Sequence, residues 1–270
     1  MFLTDWISWM RFSFIPRAAA VAIVALMAAP SLLQTPAAAA ELSATEKTAI
    51  EQVVRDYLLR NPEVLQEAMV ELERRQQDNQ RKAQEDAVAG EMTALYEAEG
   101  NIVVGNPKGD VTLVEFFDYN CGYCKRALDD VASLVKQDPN LRVILKDFPI
   151  LRPESLDAAL YARAAQHQLP GVKFFDYHAR LMGTKGVVGK EQAVAVAKEM
   201  GLDMARLEKD ATSDALKAEI RETLALGDRL SLTGTPAFVL GKDVVFGAVG
   251  HAPLKQAIAS VRECGRTTCS

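Results

Sequence analysis

Apolar and polar positions recur at two different periods along this chain, and the change of period divides it. From Glu41 to about Gly100 the spacing is helical, with Ile50, Val53, Val54, Tyr57 and Leu58 on one face. "RNPEV" restarts the pattern, Asn61 being able to cap and Pro62 suiting a first helical position. Val64, Leu65, Ala68, Met69 and Leu72 then form a second apolar stripe. "ELERRQQDNQRKAQED" follows, helix-forming but with almost nothing to bury, and reads as a solvated helix or a mobile linker. From Asn101 the character changes: "NIVVG" and "VTLVEFFDY" read as β-branched and aromatic strands around the turn-like "NPKGD". "CKRALDDVASLVKQ" returns to helical spacing, with Leu128, Val131, Leu134 and Val135 on one side, and "LRVILKDFP" is a further strand. Residues 154–226 are helical, broken at "QLPG", "MGTKGVVGK" and "GLD". "TPAFVLG" and "DVVFGA" make a closing strand pair before a helix over about Pro253 to Arg262. The order predicts an α/β sheet with a helical insertion, preceded by an α-helical segment.

The two N-terminal stripes need a partner. It is either another copy of the chain, the reading preferred here, or the chain's own body. Removing residues 41–100 is then expected to leave a folded body.

The first 40 residues change what the cysteines mean. Arg11 and Arg17 precede the apolar run "AAAVAIVALMAAPSLL", which ends in the small-residue stretch "TPAAAAEL". This is the layout of a secretory signal, with cleavage expected near Ala40. The alternative is an uncleaved anchor, against which Pro30 and the alanine-rich exit argue. Export from a bacterium places the protein in the periplasm, where disulfides persist. The net charge of −5, without a basic stripe, gives no reason to expect nucleic acid, and the 49% hydrophobic fraction supports a real core. Four cysteines are too few to scaffold a chain of 270 residues, so thiols are free for chemistry.

Cys121 and Cys124 sit two residues apart at the junction of a strand and a helix. Structural zinc would want two more ligands, and His167, His178 and His251 show no paired spacing. A purely structural bridge across two residues would constrain little of the unfolded chain. A redox couple fits the local physics, because free amides and the helix dipole favour a thiolate at a helix start. Cys121 should be the exposed attacker and Cys124, one turn in, the buried resolving thiol. The competing class is a copper(I) handler built on the same soft thiolates, although no Met-rich or His-rich stretch accompanies them. Cys264 and Cys269 are expected to pair as a small C-terminal disulfide in the tail 264–270, the alternative being a second redox relay.

A CxxC on a helix start, with "TPAF" far along the chain, resembles the thioredoxin fold. "EFFDYNCGYC", "FPILRPES" and "GTPAFVLG" around a helical block are more closely similar to the DsbA family of periplasmic thiol-disulfide oxidoreductases, over roughly Asn101 to Arg262. "EQVVRDYLLRNPEVLQEAMVELERRQ" resembles the N-terminal region of ScsC-like members, which are linked to copper tolerance and include oligomeric disulfide isomerases. The resemblance implies a thioredoxin fold with the helical insertion at about 154–226, inside a domain over 101–263. It implies a cis Pro236 facing the couple, with Thr235, Pro236, Gly122 and Tyr123 lying against bound substrate. It implies no cofactor beyond the cysteines, and exported unfolded or misfolded proteins and a membrane redox protein as partners. Glu115 occupies the place of a buried acid that could exchange protons with Cys124. Lys146 could be its partner across adjacent strands, the alternative being that both sit at strand edges in water. The dipeptide Gly122–Tyr123 lacks the histidine of the strong oxidase, and with Thr235 it matches the isomerases of the DsbC type. The implied protein is an oligomeric isomerase or reductase through residues 41–100, with a monomeric DsbA-type oxidase as the alternative.

Overall fold

A computed structural model describes residues 42–269, so the expected signal segment 1–40 and its cleavage near Ala40 lie outside the described residues. The chain divides into two compact units at Pro62.

In the first unit, α1 (Ala44–Arg60) opens on a capping box. The Ser43 hydroxyl accepts the Glu46 N–H at 3.3 Å and the Glu46 carboxylate accepts the Ser43 N–H at 2.9 Å, which satisfies two otherwise orphan donors. No residue of α1 is buried, and Ile50, Val53, Val54 and Tyr57 stand in solvent, Val53 with 67% of its surface exposed.

The second unit begins with α2 (Glu63–Gly90) and α3 (Met92–Tyr96). The polar stretch expected as solvated helix or mobile linker lies within one continuous helix, α2. A ladder of ion pairs supports it: Arg74 bridges Glu71 and Asp78, and Arg81 bridges Asp78 and Glu85. The first turns of α2 leave Leu65, Met69, Val70 and Leu72 exposed. Its last turns do not. Val88 is fully buried, as is Leu95 of α3, and both belong to the core of the body. Arg142 donates to the Tyr96 carbonyl at 2.9 Å, and Arg229 pairs with Glu91 at 2.7 Å. The expected boundary near Gly100 is therefore corrected: the end of α2 and α3 are part of the body, because their apolar side chains cover one face of its sheet.

Among the described residues five strands form one sheet in the order β1-β3-β2-β4-β5. They are β1 (Ile102–Gly105), β2 (Val111–Phe117), β3 (Leu141–Asp147), β4 (Ala237–Leu240) and β5 (Asp243–Phe246). β2 and β3 are parallel, joined by α4 (Gly122–Gln137), and the other pairings are antiparallel. Between β3 and β4 stand α5 (Pro153–Gln166), α6 (Val172–Met182), α7 (Lys190–Glu199), α8 (Met204–Ala211) and α9 (Asp214–Arg229), the helical insertion. α10 (His251–Cys264) closes the fold.

The central strands are apolar on both faces, as a sheet covered on both sides requires. Leu113, Phe117, Val143, Leu145 and Phe238 face the larger core with α4, α5, α6 and α10. Val114, Phe116, Ile144 and Val239 face the smaller one with Val88, Leu95 and Leu226. Gly227 permits the close approach of α9 to that smaller core, since a Cβ there would stand 2.3 Å from the Phe148 ring.

Candidate active site

The strand β2 ends at Phe117, and the chain turns through Asp118 and Asn120 into α4. Asp118 shapes this turn: its carboxylate accepts the Asn120 and Leu151 amides at 2.8 and 3.0 Å, and its carbonyl accepts the Cys121 amide at 2.9 Å. Cys121 is thereby the N-cap of α4, and its sulfur accepts the Cys124 N–H at 3.4 Å. Cys124 is buried for a reason visible in the helix. It falls on the same face as Ala127, Val131 and Leu134, the stripe that α4 presses into the core.

Cys121 is not the openly exposed thiol expected from its position. It retains 4% of its surface and Cys124 1%, because the loop before β4 lies over the couple. The Cys121 thiol donates to the Thr235 carbonyl at 3.1 Å, and the Thr235–Pro236 peptide is cis. Both cysteines are free thiols in this structure. Hydrogen bonds from the Cys124 thiol and from the Cys124 and Tyr123 amides hold the Cys121 thiol down at about 5, against the effect of burial. Burial and the hydrogen bond to Cys121 push the Cys124 thiol far up. The surroundings thus favour charge on the Cys121 sulfur and a retained proton on Cys124.

Glu115 faces the same core as the couple, and burial together with the nearby Cys121 charge raises its carboxyl to about 8. Lys146 does not meet it. The parallel register places Leu145 opposite Glu115 and Lys146 opposite Phe116, one residue further on and therefore on the other face. The Lys146 ammonium instead donates to the Ala94 carbonyl at 2.7 Å, and burial lowers it to about 8. The pairing expected between Glu115 and Lys146 is corrected on that ground, and so is the alternative of two solvated edge residues, since both are buried.

Gly122 and Tyr123 form the first turn of α4, Tyr123 exposed with the Arg126 guanidinium 4.2 Å from its ring centroid. Cys264 and Cys269 are joined by a disulfide beyond α10. That tail is docked: Arg266 pairs with Glu85 and with Asp243, and the Thr267 amide donates to Asp243 at 2.8 Å.

Sequence reasoning missed three polar groups near the site, two of them buried and Asn120 half-buried. Asp147 lies on the Glu115 face with neither carboxylate oxygen hydrogen-bonded, and burial raises it to about 7 in spite of Arg163 at 4.0 Å. His178 sits among Phe117, Phe174 and Phe175, within 3.1 Å of the Tyr119 hydroxyl, and burial lowers it to about 3. Asn120 reaches across to the insertion. The alternation in "LKDF" marks Asp147 as facing opposite to Lys146, but no local signal marks the other two.

Residues 112–259, more than half of the chain, match the DSBA-like thioredoxin domain. The chain belongs to that family. Residues 46–78 match the N-terminal domain of the copper resistance protein ScsC. Among solved structures, a thioredoxin-like oxidoreductase from Silicibacter pomeroyi is 39% identical, covering 64% of this chain and 98% of that one, with a TM-score of 0.60. A linker-deletion mutant of Proteus mirabilis ScsC is 28% identical over 84% of this chain and 99% of that one, at 0.61. Salmonella enterica Typhimurium BcfH is 26% identical over 80% and 95%, at 0.69. A curated relative is the Na(+)/H(+) antiporter NhaA 1 of Salinispora arenicola, 27% identical over 160 residues, 58% of this chain and 24% of that protein. The chain thus spans about a quarter of the length of the curated relatives it matches. Among the described residues no helix is long and apolar enough to cross a membrane. The body is a DsbA-like fold preceded by an ScsC-type helical segment.

Proposed function

We propose that the protein is a periplasmic thiol-disulfide oxidoreductase of exported polypeptides, working as an oligomeric isomerase or reductase. The observation that carries this reading is the division of labour between the two sulfurs: Cys121 at the N-cap of α4, accepting the Cys124 amide and held down at about 5, and Cys124 kept protonated one turn behind it. The Cys121 thiolate attacks one sulfur of a substrate disulfide, forming a mixed disulfide and releasing the other substrate sulfur as a thiolate. Its negative charge is then gone, so one of the two causes that hold the Glu115 proton disappears. Glu115 then gives up its proton more readily, to the released substrate thiolate through water, and its carboxylate takes the proton of Cys124. Cys124 attacks Cys121, the couple closes as a disulfide, and the substrate leaves reduced by two electrons. Isomerisation is the same first step followed by attack of a different substrate thiolate on the mixed disulfide. No cofactor takes part, and an electron donor in the membrane keeps the couple reduced.

Two features support the finer reading. Exposed apolar side chains on α1 and on the first turns of α2 favour self-association through this region. Several sites around one cleft would raise the thiolate concentration at a held substrate. The exposed Tyr123, Ile150, Leu151 and Val187 suit an apolar stretch of unfolded chain. Export rests on the signal-like first 40 residues, and a related Salmonella thioredoxin-like protein is described as periplasmic. Insulin reduction and the refolding of scrambled ribonuclease test the proposal. An oligomeric isomerase does both, a monomeric oxidase does not refold scrambled ribonuclease, and a copper(I) carrier does neither.

A further inference from the structure

The residue immediately before Cys121 is tied to a loop 68 positions further along the chain. The Asn120 side-chain amide donates to the Val188 carbonyl at 2.8 Å, and its carbonyl accepts the Val188 N–H at 2.8 Å. A side chain thus meets a backbone unit as a neighbouring strand would. The same Asn120 nitrogen donates to the Ser155 hydroxyl at 3.1 Å, and Ser155 donates to Asp118 at 2.8 Å. One network therefore joins the turn before Cys121, the start of α5 and the connection between α6 and α7.

That connection, "GTKGVVG" over residues 183–189, carries three glycines, and Gly186 has φ of +79°. Such a segment has much conformational freedom to lose on ordering. Its anchors are the buried Val188, the two Asn120 bonds and a bond from the Lys125 ammonium to the Thr184 carbonyl. The polar anchors that reach it from outside the flanking α6 and α7 both come from the chain around Cys121; the Thr184 hydroxyl bond to the Arg180 carbonyl and the Gly189 amide bond to Gln192 are local. Beside the anchored Val188 stands Val187, exposed, and across the Asp118 turn stand the exposed Ile150 and Leu151.

We infer that Asn120 is a positioning residue that sets polypeptide specificity, holding the 183–189 loop as one wall of the rim on which an unfolded chain rests beside Cys121. The inference deepens the proposed activity and rests on it. A substrate with an apolar segment next to its cysteine gains from a wall that is already ordered, because binding then has less chain to immobilise. A small disulfide does not reach Val187 and gains nothing from it.

The test is steady-state reduction of two disulfides by the full chain, one in an unfolded polypeptide and one in glutathione disulfide. In Asn120→Ala the ratio of kcat/KM for the polypeptide to that for glutathione disulfide should fall by about tenfold, from losing two hydrogen bonds that order the loop. The loss should appear in KM for the polypeptide rather than in kcat. Trypsin should cut after the exposed Lys185 faster than in the parent, and the pH midpoint of Cys121 alkylation should stay where the parent has it. Lys125→Met, which removes the other polar anchor, should lower the same ratio by a smaller factor, and it carries the test if Asn120→Ala does not fold. An unchanged ratio in either folded variant overturns the inference, as does a shifted Cys121 midpoint, which would mean that Asn120 acts through the thiol. A parent protein that reduces neither disulfide overturns the proposed activity instead.

Discussion

Helices α1 and α4 obey the same spacing and reach opposite ends. In α4, residues Cys124, Ala127, Val131 and Leu134 share a face and vanish into the core. In α1, residues Ile50, Val53, Val54 and Tyr57 share a face and remain in water, and α1 buries nothing. Helical periodicity states which face wants a partner and is silent on where the partner comes from. In the body the sheet supplies it. The stripe of α1 is left uncovered within its own unit, and a second copy of the same stripe is the occupant proposed here.

The sharpest way to test the α4 side is through its sulfurs. Cys121→Ser should reduce insulin reduction to background, while Cys124→Ser should accumulate mixed disulfides visible on non-reducing gels. Alkylation of the reduced parent should label Cys121 with a midpoint near pH 5 and leave Cys124 unlabelled at neutral pH. Faster labelling of Cys124 would reverse the assignment.

Truncation tests where the body begins. Removal of residues up to Pro62 should leave a cooperatively folding, redox-active monomer. Removal up to Gly100 takes away the buried Val88 and Leu95 and uncovers one face of the sheet. At roughly 2–5 kcal/mol for a buried leucine alone, that loss rivals the whole stability of a typical domain. Thermal melts of the two truncated chains should differ accordingly, and equal melting temperatures would return the boundary to Gly100.

Glu115 should leave a pH signature. Its carboxyl sits at about 8 in the folded reduced protein against an ordinary 4.5, so the folded state keeps a proton that the unfolded chain gives up. Stability is penalised progressively as pH rises from 4.5 to 8, by about 1.4 kcal/mol per pH unit, and the penalty is constant above that. Cys121, held at about 5 against 9, contributes the opposite slope from pH 5 to 9. Glu115→Gln removes only the first of these. The stability difference between variant and parent, from urea unfolding, should grow across pH 4.5 to 8, and a flat difference would place Glu115 in water.

Much of this was legible in the chain. Strand and helix order follows from the periods of apolar residues, and the place of the CxxC follows from "VEFFDYNCGYC" passing from one period to the other. What was not legible needs register or long-range contact. Whether Lys146 meets Glu115 depends on a parallel pairing that places Leu145 there instead. The role of the polar stretch before Val88 depends on a sheet face formed by residues far beyond it. Asn120 looks like any turn asparagine until Val188 is folded against it. Side chains that pair across 68 positions leave no mark in local periodicity.

The C-terminal disulfide should matter least. Replacing Cys264 and Cys269 together by Ser should cost at most about 2 kcal/mol, since the loop they close is short. Activity on insulin should persist, and its loss would instead support a relay between the two cysteine pairs.

The mass of the protein lacking residues 1–40, measured by light scattering during size exclusion, bears most directly on the contrast between α1 and α4. The account predicts an oligomer whose mass falls to that of one chain when Val53 and Tyr57 are both changed to Glu. A single-chain mass for the unmodified protein would contradict it, leaving α1 without a second copy and the body to act as a monomeric oxidase.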